Sequence, residues 1–314
     1  MDGEKRVEPE EKIVCRVLTG PTASGKTALG VRLAREMGYE ILCMDSMQIY
    51  RRMDIGTAKP TAEEQQGVPH HLMDLCEPTN SFTVADWRDQ ADALVKRLWQ
   101  EKRARVLFVG GTGLYLEALR YALDMGQVPA NEERRRELNA MALKPGGREQ
   151  VHAILSRLDP ETGERLHPND LRRVIRAIEV TETTGVPFSK QPGRKENPDY
   201  RWKIVSTAME RSLLYDRIDT RVHGMIESGL REEVCSLLAE GVPEKAQSMS
   251  ALGYKEMIPH LRGETSLEET IAAIQLGSRH YAKRQMTFLR RMEEISYVDV
   301  TRPDAYDRIR AALE

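Results

Sequence analysis

Short apolar runs alternate with longer amphipathic segments over roughly the first 120 residues of the chain. A short apolar run bounded by turn residues indicates a buried strand, and apolar residues spaced three or four apart indicate a helix. The predicted strands of this part cover residues 13–18, 40–44, 71–73 and 105–109, and the predicted helices cover residues 27–37, 84–102 and 114–123. This alternation is typical of an α/β domain built on a parallel sheet.

The pattern changes between about residues 124 and 198, where the chain is rich in charged residues and in helical periodicity. Helices are predicted there at 131–143, 148–157 and 170–184, separated by turn residues. One further strand is predicted at 202–208, and the chain then reads as helical from Arg211 nearly to Tyr297. We therefore predict an α/β core from residues 1–123 and 199–314, with a helical C-terminal part and a helical insertion at 124–198.

The first predicted strand is followed by a phosphate-binding motif. Residues 20–27 read Gly-Pro-Thr-Ala-Ser-Gly-Lys-Thr, which is G-x-x-x-x-G-K-[ST] between a strand and a helix, the context that this motif requires. Its glycines allow backbone N–H groups to surround an anion, while the lysine and the helix N-terminus add positive charge. The threonine hydroxyl is a candidate Mg²⁺ ligand. The candidate diphosphate-binding residues are Gly20, Thr22, Ala23, Ser24, Gly25, Lys26 and Thr27.

Polar residues also follow two other predicted strands. Asp45 and Ser46 come after residues 40–44, and a glycine-rich turn with Thr112 comes after residues 105–109. Ligands bind outside the carboxyl ends of parallel strands, so one site lined by all three clusters is expected. Asp45 is a candidate general base or water-mediated Mg²⁺ ligand, but an aspartate before a serine equally suits a turn cap. Thr112 is either a ligand-contacting hydroxyl or an ordinary turn residue.

Composition narrows the classes of partner. The net charge of -2 gives no overall basic field, so any nucleic-acid contact must come from local patches. Basic residues cluster at 172–176 and at 279–291, and Arg217 and Arg221 share one helix face. Three interpretations of these basic faces are open: they are solvated surface, they bind phosphate groups at the site, or they contact a nucleic-acid backbone. The charged first twelve residues and the absence of a long apolar run predict a cytoplasmic protein without a membrane segment.

An ordered set of motifs resembles the isopentenyltransferases that modify tRNA (the IPP transferase family), and in particular the bacterial tRNA dimethylallyltransferases. The resemblance covers about residues 13–292. Besides 20–27, the matching segments are 45–50 (Asp-Ser-Met-Gln-Ile-Tyr), 54–60 (Asp-Ile-Gly-Thr-Ala-Lys-Pro), 69–74 (Pro-His-His-Leu-Met-Asp), 110–115 (Gly-Gly-Thr-Gly-Leu-Tyr), 167–170 (His-Pro-Asn-Asp), 251–256 (Ala-Leu-Gly-Tyr-Lys-Glu) and 281–285 (Tyr-Ala-Lys-Arg-Gln).

The resemblance implies a fold, an activity and partners. The expected fold is a nucleotide-kinase-like P-loop core with a helical insertion that grips the tRNA anticodon stem-loop. The expected reaction moves a dimethylallyl group from dimethylallyl diphosphate to the exocyclic amine of the adenosine 3′-adjacent to the anticodon, in tRNAs that read codons starting with U. Mg²⁺ is the implied cofactor, and we expect a monomer.

The resemblance also implies roles for individual residues. Asp45 is the expected general base, Thr112 assists near the bridging oxygen of the diphosphate, and Arg217 stabilises the leaving group. Lys26 and Mg²⁺ on Thr27 act with Arg217, and Arg221 is a neighbouring candidate for the same contact. Contacts to tRNA are expected from Ser46, Met47, Gln48, Lys59, Arg172, Arg176, Arg279, Lys283, Arg284 and Gln285.

Three alternatives remain open. An adenylate isopentenyltransferase performs the same chemistry on free AMP or ATP, although the large insertion favours tRNA. A small-molecule kinase is the ordinary use of such a phosphate loop, but no kinase lid is evident. A nucleotide-gated binding module would lack catalysis, and the matches at Asp45 and Thr112 oppose it.

Overall fold

The computed structural model describes residues 12–121, 131–191 and 195–314, and the contacts within it divide the chain into two units. Unit 1 ends its first part at Arg120 and resumes at Asn197, and unit 2 lies between these residues in the sequence. The expected insertion covered residues 124–198, of which residues 124–130 and 192–194 lie outside the described part of the chain. In the three described ranges, no helix combines the length and the apolar character needed to cross a bilayer.

Unit 1 is built on a six-stranded parallel sheet with the order β3-β2-β4-β1-β5-β6. The strands are β1 (Ile13–Thr19), β2 (Tyr39–Cys43), β3 (His70–His71), β4 (Arg105–Val109), β5 (Tyr200–Ala208) and β6 (Ile295–Asp299). Because β1, β4 and β2 are neighbours and parallel, their carboxyl ends lie at one edge of the sheet. The α/β fold class predicted from the strand–helix alternation is confirmed.

Helices cover both faces of this sheet. Those of unit 1 are α1 (Lys26–Met37), α2 (Ala62–Gln65), α3 (Val84–Lys102), α4 (Gly113–Arg120), α9 (Arg211–Glu227), α10 (Leu230–Ala239), α11 (Tyr254–Leu261), α12 (Leu267–Leu289) and α13 (Ala305–Leu313). Those of unit 2 are α5 (Glu132–Ala142), α6 (Gly147–Leu158), α7 (Pro160–Arg165) and α8 (Leu171–Thr184).

Alternate residues of β1 enter two separate apolar cores. Cys15 and Val17 pack into the core on one face of the sheet, and Leu18 packs into the core on the other face. On the first face, the fully buried Trp87 of α3 stacks on Tyr115 of α4 with ring centroids 4.5 Å apart. The indole N–H of Trp87 donates to the carbonyl oxygen of Cys43 at 3.3 Å. This contact ties two helices to the carboxyl end of β2, next to the candidate site.

Unit 2 has a small apolar core of its own, formed by residues such as Leu138, Val151 and Ile178. Glu179 of α8 is only 1% exposed beside this core. Its carboxylate accepts hydrogen bonds from the guanidinium groups of Arg135 and Arg176, and these cations lower its pKa against the effect of burial. Arg135 thereby ties α5 to α8, whereas Arg176 pairs with Glu179 within α8 itself. The tRNA contact expected of Arg176 stays a prediction.

The last part of unit 1 differs from its prediction. The chain was expected to remain helical nearly to Tyr297, but β6 pairs with β5 and adds a sixth strand. Only Val298 of β6 is buried, so this edge strand carries little of the apolar pattern by which a strand is recognised. The strand expected at 71–73 is the shorter β3, and the helix expected at 114–123 ends at Arg120.

We predict that Gly110→Ala lowers the free energy of unfolding by at least about 2 kcal/mol, since overpacking against backbone is not easily relieved. A Cβ atom at Gly110 would lie 2.1 Å from the carbonyl oxygen of Met44. Gly224→Ala is the matched control, because a Cβ atom there meets nothing within 4 Å and Gly224 lies inside α9. Urea unfolding should leave the control unchanged or slightly more stable. Equal stabilities of the two variants would contradict the prediction.

Candidate active site

The phosphate loop connects β1 to α1 with two left-handed residues. Ala23 has a φ of 61° and Gly25 a φ of 84°, which turns the backbone so that α1 begins at Lys26. The buried Ser24 hydroxyl donates to the carbonyl oxygen of Pro21 at 2.8 Å and fixes the bend. The motif thus adopts the strand–loop–helix form that its sequence predicted.

Gly20 needs to be glycine because the loop passes close to β5. A Cβ atom at this position would lie 2.1 Å from the Thr207 hydroxyl oxygen. The same hydroxyl lies 2.7 Å from the Ser24 hydroxyl, so β5 supports the loop from beneath.

A pocket of about 660 Å³, part of it open to solvent, lies at the carboxyl edge of the sheet within unit 1. It is lined by the phosphate loop, by the turn after β2, by the glycine turn after β4 and by two helices. The lining residues are Thr22, Lys26, Thr27, Ile41, Cys43, Asp45, Gln48, Thr57, Ala58, Pro60, His70, Met73, Val109, Gly110, Gly111, Arg221, Tyr281 and Gln285. The pocket therefore combines polar groups from the expected loops with apolar side chains from β2 and β4.

Two cations and one carboxylate determine the electrostatics of the pocket. Burial and, to a smaller extent, the charge of Arg221 lower the pKa of Lys26 to about 7, although the charge of Asp45 opposes both effects. Burial also lowers the pKa of Arg221, again against the effect of Asp45. The ammonium group of Lys26 donates to the carbonyl oxygen of Pro21 at 2.6 Å. Desolvated cations gathered in this way favour an anionic ligand.

Asp45 occupies a turn and lines the pocket at the same time. One of its carboxylate oxygens accepts a hydrogen bond from the backbone N–H of Met47 at 2.9 Å. The backbone N–H of Ser46 donates to the Thr112 hydroxyl oxygen at 3.1 Å, which joins the turn after β2 to the turn after β4. The two interpretations of Asp45, turn cap and site residue, are therefore compatible.

Gln285 of α12 joins the phosphate loop to the glycine turn. Its side-chain oxygen accepts from the backbone N–H of Thr22 at 2.8 Å, and its side-chain nitrogen donates to the carbonyl oxygen of Gly111 at 3.0 Å. The residue is only 6% exposed. The amide group of Gln285 is therefore engaged inside the protein, and in this conformation it is not presented to tRNA as expected.

Lys59 fastens the loop that follows the Asp45 turn. Its side chain is 7% exposed, and its ammonium group donates to the carbonyl oxygen of Tyr50 and to the carboxylates of Asp54 and Asp74. All three N–H groups of the ammonium have acceptors. Lys59 thus has a structural role, and its ammonium group is not presented to solvent as a tRNA contact would require.

The same loop is held from two further directions. The amide group of Gln48 donates to the carbonyl oxygens of Thr57 and Ala58, both at 3.1 Å. On the opposite side, the Glu233 carboxylate of α10 accepts the consecutive backbone N–H groups of residues 54–56 and the Tyr254 hydroxyl. The loop is therefore a fixed wall of the pocket, and the motif at 251–256 supplies part of its support.

The two arginines of α9 are separated by their positions on the helix. Arg221 lines the pocket, whereas Arg217 is exposed and is not among the lining residues. The structure therefore favours Arg221 over Arg217 for the contact with an anion. The sequence could not distinguish them, because residues four apart share a helix face.

The remaining basic residues fall into two groups. Arg279 forms an ion pair with Asp219 and lies 5.2 Å from the Tyr215 ring centroid, so it braces α12 against α9. Lys283 and Arg284 of α12 are exposed, as is Arg172 in unit 2. Only the second group presents charge to solvent as the sequence predicted.

The sequence analysis missed Tyr281, which lines the pocket from α12. Burial and the charge of Asp45 raise the pKa of Tyr281, whereas hydrogen bonding with Thr112 and Gln285 lowers it, and the net effect keeps the phenol protonated. The signal was present, because Tyr281 and Gln285 are four residues apart and so share one face of the helix.

The chain is similar in sequence to known tRNA-modifying proteins. A model of the IPP transferase family matches residues 48–292. The chain is 44% identical to the tRNA dimethylallyltransferase of Bacillus licheniformis over 289 residues, which cover 91% of each chain. It is also 44% identical to the enzyme of the same name from Geobacter metallireducens over 305 residues, covering 96% of this chain and 97% of the other.

Solved structures are similar over nearly the whole chain. The full-length tRNA isopentenylpyrophosphate transferase of Bacillus halodurans superposes with a TM-score of 0.69 at 41% identity, covering 96% of this chain and 97% of that one. A eukaryotic dimethylallyltransferase acting on tRNA superposes with a TM-score of 0.78 at 25% identity, covering 96% of this chain and 78% of that one.

We predict that Lys26→Met raises the melting temperature of the protein at pH 7 in phosphate-free buffer. The pKa of Lys26 in the folded chain, about 7, lies below the ordinary value of 10.5. Between pH 7 and pH 10.5 the folded chain therefore binds fewer protons than the unfolded chain, so the stability lost by burying the Lys26 charge decreases as pH rises. The stability gain should be on the order of 1–2 kcal/mol at pH 7, after discounting for solvent screening. Calorimetry at several pH values measures it.

The difference in melting temperature between Lys26→Met and the unmodified protein should decrease from pH 7 towards pH 10. Lys283→Met is the matched control, because Lys283 is exposed on α12 and should show no such dependence. A Lys26→Met protein that is less stable at pH 7 would show that the pocket does not penalise the charge.

Proposed function

The chain belongs to the IPP transferase family, and we propose that it transfers a dimethylallyl group from dimethylallyl diphosphate to tRNA. The acceptor is the exocyclic amine of the adenosine 3′-adjacent to the anticodon, in tRNAs that read codons starting with U, and diphosphate is released. The single observation that carries this proposal is the pocket in which Lys26, Arg221 and Asp45 meet. These residues support a site for a condensed phosphate beside a carboxylate.

The diphosphate is bound by the phosphate loop. Lys26 and the N-terminus of α1 meet its negative charge from one side, and Arg221 of α9 meets it from another. Diphosphate leaves readily only when cations and N–H groups balance the charge that develops on it. Arg221 takes the role that the family resemblance had suggested for Arg217, because only Arg221 reaches the pocket.

Mg²⁺ fits the donor set of this pocket. In the described ranges, no group of three or more acidic, histidine or cysteine residues could enclose a metal ion. Mg²⁺ commonly keeps several waters and binds through one or two protein oxygens together with substrate phosphates. The Thr27 hydroxyl would hold it directly and the Asp45 carboxylate through water, and the ion would supply charge to the diphosphate oxygens.

Asp45 accepts the proton of the attacking amine. An exocyclic adenine amine is a weak nucleophile because its lone pair is delocalised into the ring, so the proton must leave as the new bond forms. The hydrogen bond from Met47 orients the carboxylate towards this task. The protonated Tyr281 lines the pocket and offers its hydroxyl group to the bridging oxygen of the diphosphate. Thr112 is not among the lining residues; its hydroxyl group hydrogen-bonds with Tyr281 and accepts from Ser46, so it positions Tyr281 for this contact.

Recognition of tRNA uses the turn after β2 and the exposed basic residues. Ser46 and Met47 contact the target base, which must leave its stack at a cost of about a few kcal/mol. Gln48 lines the pocket, but its amide nitrogen is engaged with Thr57 and Ala58 and shapes the wall rather than reading the base. Lys283 and Arg284 on α12 and Arg172 on unit 2 offer charge to phosphates of the tRNA backbone. Unit 2 binds the anticodon stem-loop.

The proposed activity is tested by incubating the protein and Mg²⁺ with radiolabelled dimethylallyl diphosphate, offering unmodified tRNA and AMP in parallel. We expect label in tRNA alone. Asp45→Asn should reduce the rate by roughly a hundredfold or more while tRNA affinity is retained, since only the base is lost. Label in AMP would assign the adenylate acceptor instead. Retained transfer by Asp45→Asn would exclude Asp45 as the base.

We further predict that Arg221→Gln lowers kcat/KM for dimethylallyl diphosphate by at least about tenfold, because a charged hydrogen bond to the leaving group is lost. Arg217→Gln is the matched control on the same helix and should change this constant by less than about twofold. Steady-state kinetics with the donor varied and tRNA saturating measures both. The reverse order of effects would return the leaving-group role to Arg217.

A further inference from the structure

The side chain of Gln285 occupies one of the backbone donors of the phosphate loop, on the side of the loop that faces the pocket. Thr22 lines the pocket, and its backbone N–H is one of the donors that a loop of this class can offer to an anion. That N–H already donates to the side-chain oxygen of Gln285 at 2.8 Å. A phosphate oxygen approaching Thr22 would therefore meet an acceptor rather than a donor.

The carboxamide also fills the space between two loops. Its nitrogen donates to the carbonyl oxygen of Gly111, and a Cβ atom on Gly111 would lie only 2.0 Å from that nitrogen. Gln285 is almost fully buried in this position. The side chain thus closes the pocket between the phosphate loop and the glycine turn, and it cannot swing aside without breaking two hydrogen bonds.

Other donors for an anion lie away from Thr22. They are the N-terminal N–H groups of α1 with Lys26 and Thr27, and Arg221 across the pocket. In loops of this class the backbone N–H groups hold two phosphates and the lysine reaches towards a third. Here the edge at which further donors would be needed carries the oxygen of Gln285, so a third phosphate has no partner there.

We propose that Gln285 is a specificity-determining residue that restricts the phosphate loop to a diphosphate and rejects a triphosphate. It acts by repulsion as well as by occupying space, because the fixed Gln285 oxygen takes the donor at Thr22 and presents an acceptor to the oxygens of a third phosphate. Sites whose polar groups would be left unpaired discriminate strongly between similar ligands. The inference rests on the proposed function in assigning the loop to a diphosphate donor.

The test measures calorimetric binding of inorganic diphosphate and inorganic triphosphate, each with Mg²⁺, to the full chain. The unmodified protein should bind diphosphate at least about tenfold more tightly, the worth of one hydrogen bond to a charged group. Gln285→Ala should narrow this ratio by about tenfold, because it frees the Thr22 N–H and opens space. Comparing ratios cancels the difference in charge between the two anions.

Two further variants make the result specific. Gln285→Met keeps the bulk of the side chain and removes both hydrogen bonds, so it carries the test if the alanine variant is unstable. Gln275→Ala alters the same residue type on the same helix outside the pocket, and its ratio should match that of the unmodified protein. A ratio that stays the same in both Gln285 variants would overturn the proposal, and so would an unmodified protein that prefers triphosphate.

The ratio of the diphosphate affinity to the triphosphate affinity separates a specific role of Gln285 from a loss of structure, because general loosening of the loop would weaken the binding of both anions together. It also separates this inference from the proposed function. Binding of neither anion by the unmodified protein would remove the donor site and with it both proposals. A diphosphate preference that is independent of Gln285, together with label transfer to tRNA, would overturn only the role of Gln285.

Discussion

The pocket depends on the position of β4 between β1 and β2 in a parallel sheet. The backbone N–H of Gly110, just past β4, donates to the carbonyl oxygen of Leu18 in β1, and that of Thr112 donates to the carbonyl oxygen of Met44 just past β2. These bonds bring the phosphate loop, the Asp45 turn and the glycine turn to one edge. Gly110 makes the approach possible, because any side chain there would collide with the backbone at Met44.

The same arrangement makes the pocket electrostatically unfavourable before a ligand binds. Lys26 and Arg221 lose hydration within reach of each other, and Asp45 offsets only part of that cost. A diphosphate reverses the balance, because it supplies the negative charge that the two cations lack. If the pocket binds the allylic diphosphate as proposed, binding energy is concentrated on the group whose negative charge increases as the allylic bond breaks, which is where catalysis requires it.

Local sequence patterns predicted the parts of this site that depend on a few consecutive residues. The strand–loop–helix at 20–27 and the acid after β2 are of this kind, and so is the α/β class. The patterns failed where packing decides. Lys59 and Gln285 are buried and hydrogen-bonded inside the protein, but the residue type alone does not show whether a polar side chain is buried or exposed. Arg217 and Arg221 share a helix face, and only the packing of α9 shows which reaches the pocket. The edge strand β6 buries too little apolar surface to reveal itself.

Helix α12 divides its work between its two faces. Tyr281 and Gln285 face inward to the pocket, while Lys283 and Arg284 face solvent. The Arg284 guanidinium lies 5.8 Å from the centroid of the Tyr281 ring. This cation–π contact connects the solvent-facing charge of Arg284 with the residue whose hydroxyl group faces the pocket. If Arg284 binds a tRNA phosphate as proposed, it does so from a rigid helix that also fixes the diphosphate loop through Gln285. Acceptor and donor are then positioned by the same element, and their alignment depends on the straightness of α12 rather than on a flexible loop.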